Sequence, residues 1–262
     1  MKTRFKLHSY CFGLLAVCFS ISASAADLDR LEIEKRLASA DKQHPADLRR
    51  KDLTDLDLSG LDFRNADLWG SDLRRSNLSN SNLSGLNLDL TVMSRINLSG
   101  ANLAHTSIFG VHMAEANLSG ANLTGSRFIA NLDRANLSHA NLTNADWGVD
   151  MKNQPMGLMR VSLNSANLSG ANLTGANLNR ALLRLANLTG ANLNKAILIG
   201  ADLSRANLSD SNLAGADLSQ ALLNDTNFAG STLTGTRFTG IKDKALLRGL
   251  DTSKDLDSAI FD

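Results

Sequence analysis

Residues 166–205 read ANLSG ANLTG ANLNR ALLRL ANLTG ANLNK AILIG ADLSR, eight five-residue units with a leucine at the centre of each. Neither common regular element can use that period. On an α-helix five residues advance the azimuth by about 140°, so the leucines would visit every face. On a strand an odd period sends successive leucines to opposite faces. Only a chain that turns a corner about every five residues keeps all of them inside. Outward from this stretch the centres recur from Leu48 to Phe128, resume one residue early at Leu132 as far as Trp147, and run again from Leu163 to Phe238, 37 in all. Two residues before each centre the chain prefers a small side chain, Ala in 11 of the 16 units from 161 to 240. That suits a second inward position beside a corner. Asn or Asp before the centre, and Ser, Thr, Gly, Asn or Arg after it, are turn formers or solvated groups. The pattern is that of a stacked solenoid, and the arithmetic leaves three sides or four open.

The units resemble the pentapeptide-repeat family, whose consensus is A-(D/N)-L-x-x, over residues 46–240. The resemblance implies an all-β solenoid, a right-handed quadrilateral parallel β-helix with four pentapeptides per coil. About nine coils, with strands about 4.8 Å apart, would make a rod about 40–45 Å long. With coils of 20 residues, Asp55, Arg75, Arg95 and Glu115 fall in one outward column, which Arg134 extends after the one-residue deletion. The acidic members should then pair with the arginines.

The ends depart from the repeat. Lys2, Arg4 and Lys6, an apolar run from Cys11 to Ile21 and Ala23-Ser24-Ala25 read as a secretory signal peptide, residues 1–25, cleaved after Ala25. Leu15-Ala16-Val17-Cys18 approaches a lipobox, but Val17 stands where Gly, Ala or Ser is wanted. Cleavage removes both cysteines and leaves 24 basic against 26 acidic side chains, with no disulfide to stabilise the chain. The expected location is the periplasm or the medium of a bacterium, with no membrane span in the mature chain. Residues 26–45 read as a capping helix over 27–42 that offers Leu28, Leu31, Ile33 and Leu37 to one end of the rod and is broken at His44-Pro45. Residues 241–262 are expected to cover the other end. Between Trp147 and Leu163 there are 11 extra residues; the segment 148–160, with Met151, Pro155, Met156 and Met159, is expected to loop out as an adaptable contact surface.

No catalytic or metal-binding pattern stands out. His105, His112 and His139 are scattered in the repeat frame, His44 lies outside it, and none belongs to an HExxH motif. The methionine loop offers soft donors for copper but holds neither His nor Cys. No cofactor is expected and no enzyme activity. Some family members mimic DNA and bind gyrase through an acidic rod, but residues 46–240 carry 16 basic and 16 acidic side chains. A rod without net charge lacks the field of a phosphate backbone. The reading is a non-enzymatic exported scaffold that serves an unidentified protein partner or a structural role in the cell envelope, with no nucleic-acid role; a DNA mimic that binds gyrase and an enzyme are the alternatives. Leu182, Leu185, Ile197, Ile199 and Leu222 stand at outward positions and form a candidate apolar patch for self-association or a partner.

Overall fold

The computed structural model describes residues 26–149, 159–241 and 244–262. The expected signal peptide and Met151, Pro155 and Met156 lie outside the described residues. Nearly every unit has the same local conformation. The carbonyl of the central residue accepts from the N–H three residues on, as in Ala101 N–H to Leu98 O at 3.0 Å. The residue between them, second after the centre, is left-handed: φ is 65° at Gly100 and 60° at Arg75. This is the backbone of a type II turn. The residue before the centre supports the turn, since Asn97 Oδ1 accepts from the Ser99 N–H at 3.2 Å.

Successive turns close a coil of 20 residues. Parallel bridges run Asp57 to Asn77 to Asn97 to Asn117. The rungs alternate direction: Leu48 N–H donates to Asp67 O and Asp72 N–H to Lys51 O, both at 2.9 Å. Four units per coil make a quadrilateral, and the chain forms a right-handed parallel β-helix. We number its sides by the first coil: the first carries Leu48, the second Leu53, the third Leu58, the fourth Phe63. All 37 centres are buried, none more than 3% exposed. Small residues fill the second inward row. Where Ser or Thr replaces Ala there, its hydroxyl donates to a backbone carbonyl, as from Ser71 to Leu68 O at 2.7 Å, or, at Ser126, accepts from an indole, so the buried oxygen stays satisfied.

Most rungs are single bridges, and longer pairing appears at two places. β1 (Ala46–Asp47) pairs with β2 (Ala66–Asp67). β3 (Ser107–His112) pairs with β4 (Arg127–Asn131), where the one-residue deletion removes a corner. The chain runs through that corner extended, and the register shifts between Phe109 and Val111, so that Gly110 is the extra residue of the earlier coil. The deletion is thus a local irregularity inside a continuous stack. The 11 extra residues also leave the stack intact: Leu132 N–H donates to Ser162 O and Trp147 N–H to Asn177 O, at 2.7 and 2.8 Å. Within this region Phe128 and Trp147 stack at 4.7 Å, and the indole Nε1–H donates to Ser126 Oγ.

The first coil is capped by α1 (Arg30–Ala38), whose N-cap is Asp29. Ile33 is wholly buried, and Leu28 and Leu37 pack partly against the core. Leu31, expected among them, is 74% exposed, because it falls on the opposite side of this short helix. The carbonyls that the first coil turns outward, which in later coils accept from the coil before, find donors here. Arg36 donates to Asp47 O, the Asp27 N–H to Asp52 O, and Arg30 to Asp57 O and Ser59 O. Pairs with Glu34 and Glu32 hold the two arginines in place.

The last segment winds one more coil in place of a separate lid. Arg248, Lys254 and Ile260 bridge to Asn227, Thr232 and Arg237. They are six residues apart because the corners between them are 3-10 turns, at Leu250–Thr252 and Leu256–Ser258. Phe261 stacks on Phe238 at 4.9 Å and closes the core from below.

Three mutations test this account. A Cβ on Gly190 (φ 64°) meets nothing within 4 Å, so Gly190→Ala should cost only the left-handed penalty, about 1–2 kcal/mol. A Cβ on Gly249 would lie 2.6 Å from the Ala229 nitrogen and 2.8 Å from its Cα, so Gly249→Ala should cost more and unpair the last coil, as read by urea melts and amide exchange at Arg248 and Lys254. At the other end, Ile33→Ala should cost about 2–5 kcal/mol locally, with faster amide exchange in the coil of Leu48 and Leu53.

Candidate functional site

The four sides differ in what they present. On the third, Asp57 is followed by eight asparagines, one per coil, from Asn77 to Asn227. Each amide donates to the coil before: Asn77 to Asp57 at 3.0 Å, Asn97 to Asn77 at 2.8 Å, Asn117 to Asn97 at 3.1 Å. The fourth side repeats this with Asn82, Asn102 and Asn122. These asparagines are turn formers, as expected, and also rungs of a ladder between coils, in which Asn141, Asn172, Asn192 and Asn207 donate to a threonine hydroxyl of the coil before. Both sides are nearly uniform and hold little that a partner could single out.

The corner between the second and third sides is built differently. Asp55, Arg75, Arg95, Glu115, Arg134, Ser165, Leu185, Arg205 and Asp225 follow one another there without a glycine, all left-handed. Arg75 pairs with Asp55 at 2.5 Å, and Glu115 bridges Arg95 at 2.8 Å and Arg134 at 2.9 Å. This is the column expected from 20-residue coils. Hydrogen bonds from Arg95 and Arg134 hold the Glu115 carboxyl below its ordinary range. A depressed carboxylate stabilises the fold above its unfolded pKa and ceases to do so as the pH falls through its folded value.

The corner between the first and second sides collects the irregularities. The deletion and the insertion both fall there, between Phe128 and Leu132 and between Trp147 and Leu163. Trp69, Leu90 and Phe109 lie along it; Leu90 is 53% and Phe109 46% exposed. Exposed Met159 lines a small groove with Gly110, Val111, His112, Ile129 and Arg160. Nearby on the second side stand Leu182 and Leu222, separated by Asp202. Leu222 lines a groove of about 500 Å³ with Gln220, Asn224 and Ile241. Ile197, on the first side, is stacked between Asn177 and Asp217, Ile199 is half-buried, and Leu185 projects from the next corner. The five apolar residues read from the sequence therefore occupy two neighbouring sides but are interrupted by polar rungs. Reading missed Trp69, Leu90 and Phe109. The signal was available, since each is a large apolar group at a position where the repeat usually places a small or polar one.

Among the described residues no group of three His, Cys, Asp or Glu side chains is placed to hold a metal ion. His105 and His139 are corner residues whose rings lean over Gly125 and Gly170 of the following coil. Among the described residues no helix is long and apolar enough to cross a membrane. The ion-pair column offers a direct check: Arg95→Ala with Arg134→Ala should raise the Glu115 pKa toward the ordinary 4.5, as followed by NMR titration.

Several solved structures are similar to this rod. HetL, involved in heterocyst differentiation regulation in the cyanobacterium Nostoc sp. strain PCC 7120, matches at 29% identity with a TM-score of 0.51, over 88% of this chain and 94% of that one. Rfr23 from the cyanobacterium Cyanothece 51142 matches at 29% identity over 50% of this chain and 87% of its own, with a TM-score of 0.32. QnrB1, a plasmid-mediated fluoroquinolone resistance protein, matches at 18% identity and a TM-score of 0.32, over 73% of this chain and 91% of that one. No curated protein matches the chain in sequence. The family model for pentapeptide repeats matches eight times, over residues 46–148 in overlapping and adjoining stretches and over 166–240. With that coverage, and with coils of four five-residue units, this chain belongs to the pentapeptide-repeat family.

Proposed function

We propose that the protein is an exported, non-enzymatic scaffold that binds a protein partner along the corner between its first and second sides, in the periplasm or outside the cell. The observation that carries this reading is that exposed Leu90, Phe109 and Met159 and both repeat irregularities lie on that one corner, opposite two uniform amide sides. Loops and irregularities on a rigid scaffold are where recognition resides. HetL, similar over nearly its whole length, is a pentapeptide-repeat protein involved in heterocyst differentiation regulation. The cationic start, apolar run and Ala23-Ser24-Ala25 support export. Gyrase binding by DNA mimicry is not favoured, since the repeats carry no net charge.

Deleting 150–160 joins Val149 to Val161 and restores the five-residue spacing from Trp147 to Leu163. This variant should keep its thermal melt and lose its partners in a pull-down from the envelope fraction. Unchanged partners would remove the segment from the contact. Intact mass of the native protein should begin at Ala26, and a retained Met1 would refute export by this signal.

A further inference from the structure

Trp69 contributes nothing evident to the core. Its centre, Leu68, is wholly buried, and the indole sits one residue further on, where the chain turns outward. The other tryptophan, Trp147, is buried and stacked. Trp69 is half-buried, with the guanidinium of Arg50 4.9 Å from its ring centroid. It lines an open groove of about 500 Å³ together with Pro45, Arg49, Ala66, Asp67 and Asn87. The groove has one apolar wall, of Trp69, Pro45 and Ala66, and a polar row in which Asp67 and Asn87 belong to successive coils. Arg49 stands between carboxylates, its Nε 3.0 Å from Asp47 and 3.5 Å from Asp67.

These groups restrict what can bind. An anion such as phosphate would meet the carboxylates of Asp47 and Asp67, which already neutralise Arg49. The Arg49 side chain lowers the Asp47 pKa to about 2, so Asp47 remains a charged acceptor at neutral pH. A wholly apolar ligand would strip water from Asp67, Asn87 and Arg49 without replacing their hydrogen bonds. The fitting ligand has a flat C–H face for the indole and hydroxyls around its rim for a carboxylate, an amide and a guanidinium. A pyranose ring has both. A glycan could also extend along the axis, because adjacent coils offer polar groups about 4.8 Å apart. We propose that the groove formed by Trp69, Asp67, Asn87 and Arg49 is a binding site for a neutral pyranose of a glycan chain. This site lies on the same corner as Phe109 but two coils away from it, and it does not rest on the protein-partner reading.

The two tryptophans make the test direct. Chitotetraose, cellotetraose and maltotetraose are titrated into the full-length protein, with intrinsic fluorescence and calorimetry as readouts. At least one should give a saturable change in emission and matching heat. Trp69→Ala should weaken that binding at least about tenfold with an unchanged thermal melt. Trp69→Phe, which keeps an aromatic face, should retain most of it, and Asp67→Asn should weaken it. Leu222→Ser, remote from the groove, should leave it unchanged. No saturable response to any of the three sugars up to roughly 10 mM, or equal binding by wild type and Trp69→Ala, would overturn the proposal. Loss of binding in Leu222→Ser would also overturn this location.

Discussion

The architecture depends on a backbone that enters the left-handed region at nearly every fifth residue. That turn brings each leucine to the inside and lets the next strand begin on a new side. It is unfavourable for most residues, and glycine relieves it at many corners, such as Gly100, Gly170 and Gly190. Elsewhere the chain tolerates Arg75, His139 or Leu185 in the same conformation. The stack holds those corners in place: the corner N–H donates to the next coil, as from Arg75 to Ser94 O and from Leu185 to Ser204 O. Local strain and long-range hydrogen bonding are therefore coupled at each corner. A coil detached from its neighbours would have no reason to keep its shape, which is the physical basis for nearest-neighbour stability in repeat proteins.

A regular stack makes surface identity a matter of exceptions. The third and fourth sides are specified by Asn in coil after coil, and their amides are occupied with the Asn or Thr of the coil before. The first and second sides carry the departures: Trp69 beside Arg50, Phe109 beside the bulge at Gly110, Leu182 and Leu222 around Asp202. Uniform sides give the rod rigidity, while the irregular corner gives it something to be recognised by. The sugar-binding groove and the exposed apolar groups are two such departures, with different chemistry.

The central leucines were legible because their period excludes helix and strand, and all are buried. The alignment of Arg95, Glu115 and Arg134 followed from counting twenties and correcting for the deletion. The asparagine ladder was only half legible. A turn preference can be read from one unit, whereas an amide reaching the preceding coil depends on the stack being formed. The last coil was missed because its period changes from five to six: Arg248, Lys254 and Ile260 stack correctly only if each corner takes one more residue as a 3-10 turn. Leu31 was misplaced for a local reason, since a nine-residue helix can turn only part of its apolar set toward the rod. Trp69 and Phe109 were visible as exceptions, but their neighbours across coils were not.

Near-identical coils also pose a problem of alignment during folding. A coil of Leu, Ala and Asn could pair about as well with the second coil along as with the next, leaving one coil looped out, and a leucine core would not tell the two apart. The steps of 19 and 31 residues remove that degeneracy. Beside them lie unlike partners: Phe128 stacked on Trp147, the Trp147 indole bonded to Ser126, and Gly110 opposite the shortened β4. A chain displaced by one coil would set these groups against leucine and lose all three contacts. The two flaws in the repeat thus act as index marks, fixing which coil follows which in a rod whose other rungs are nearly interchangeable.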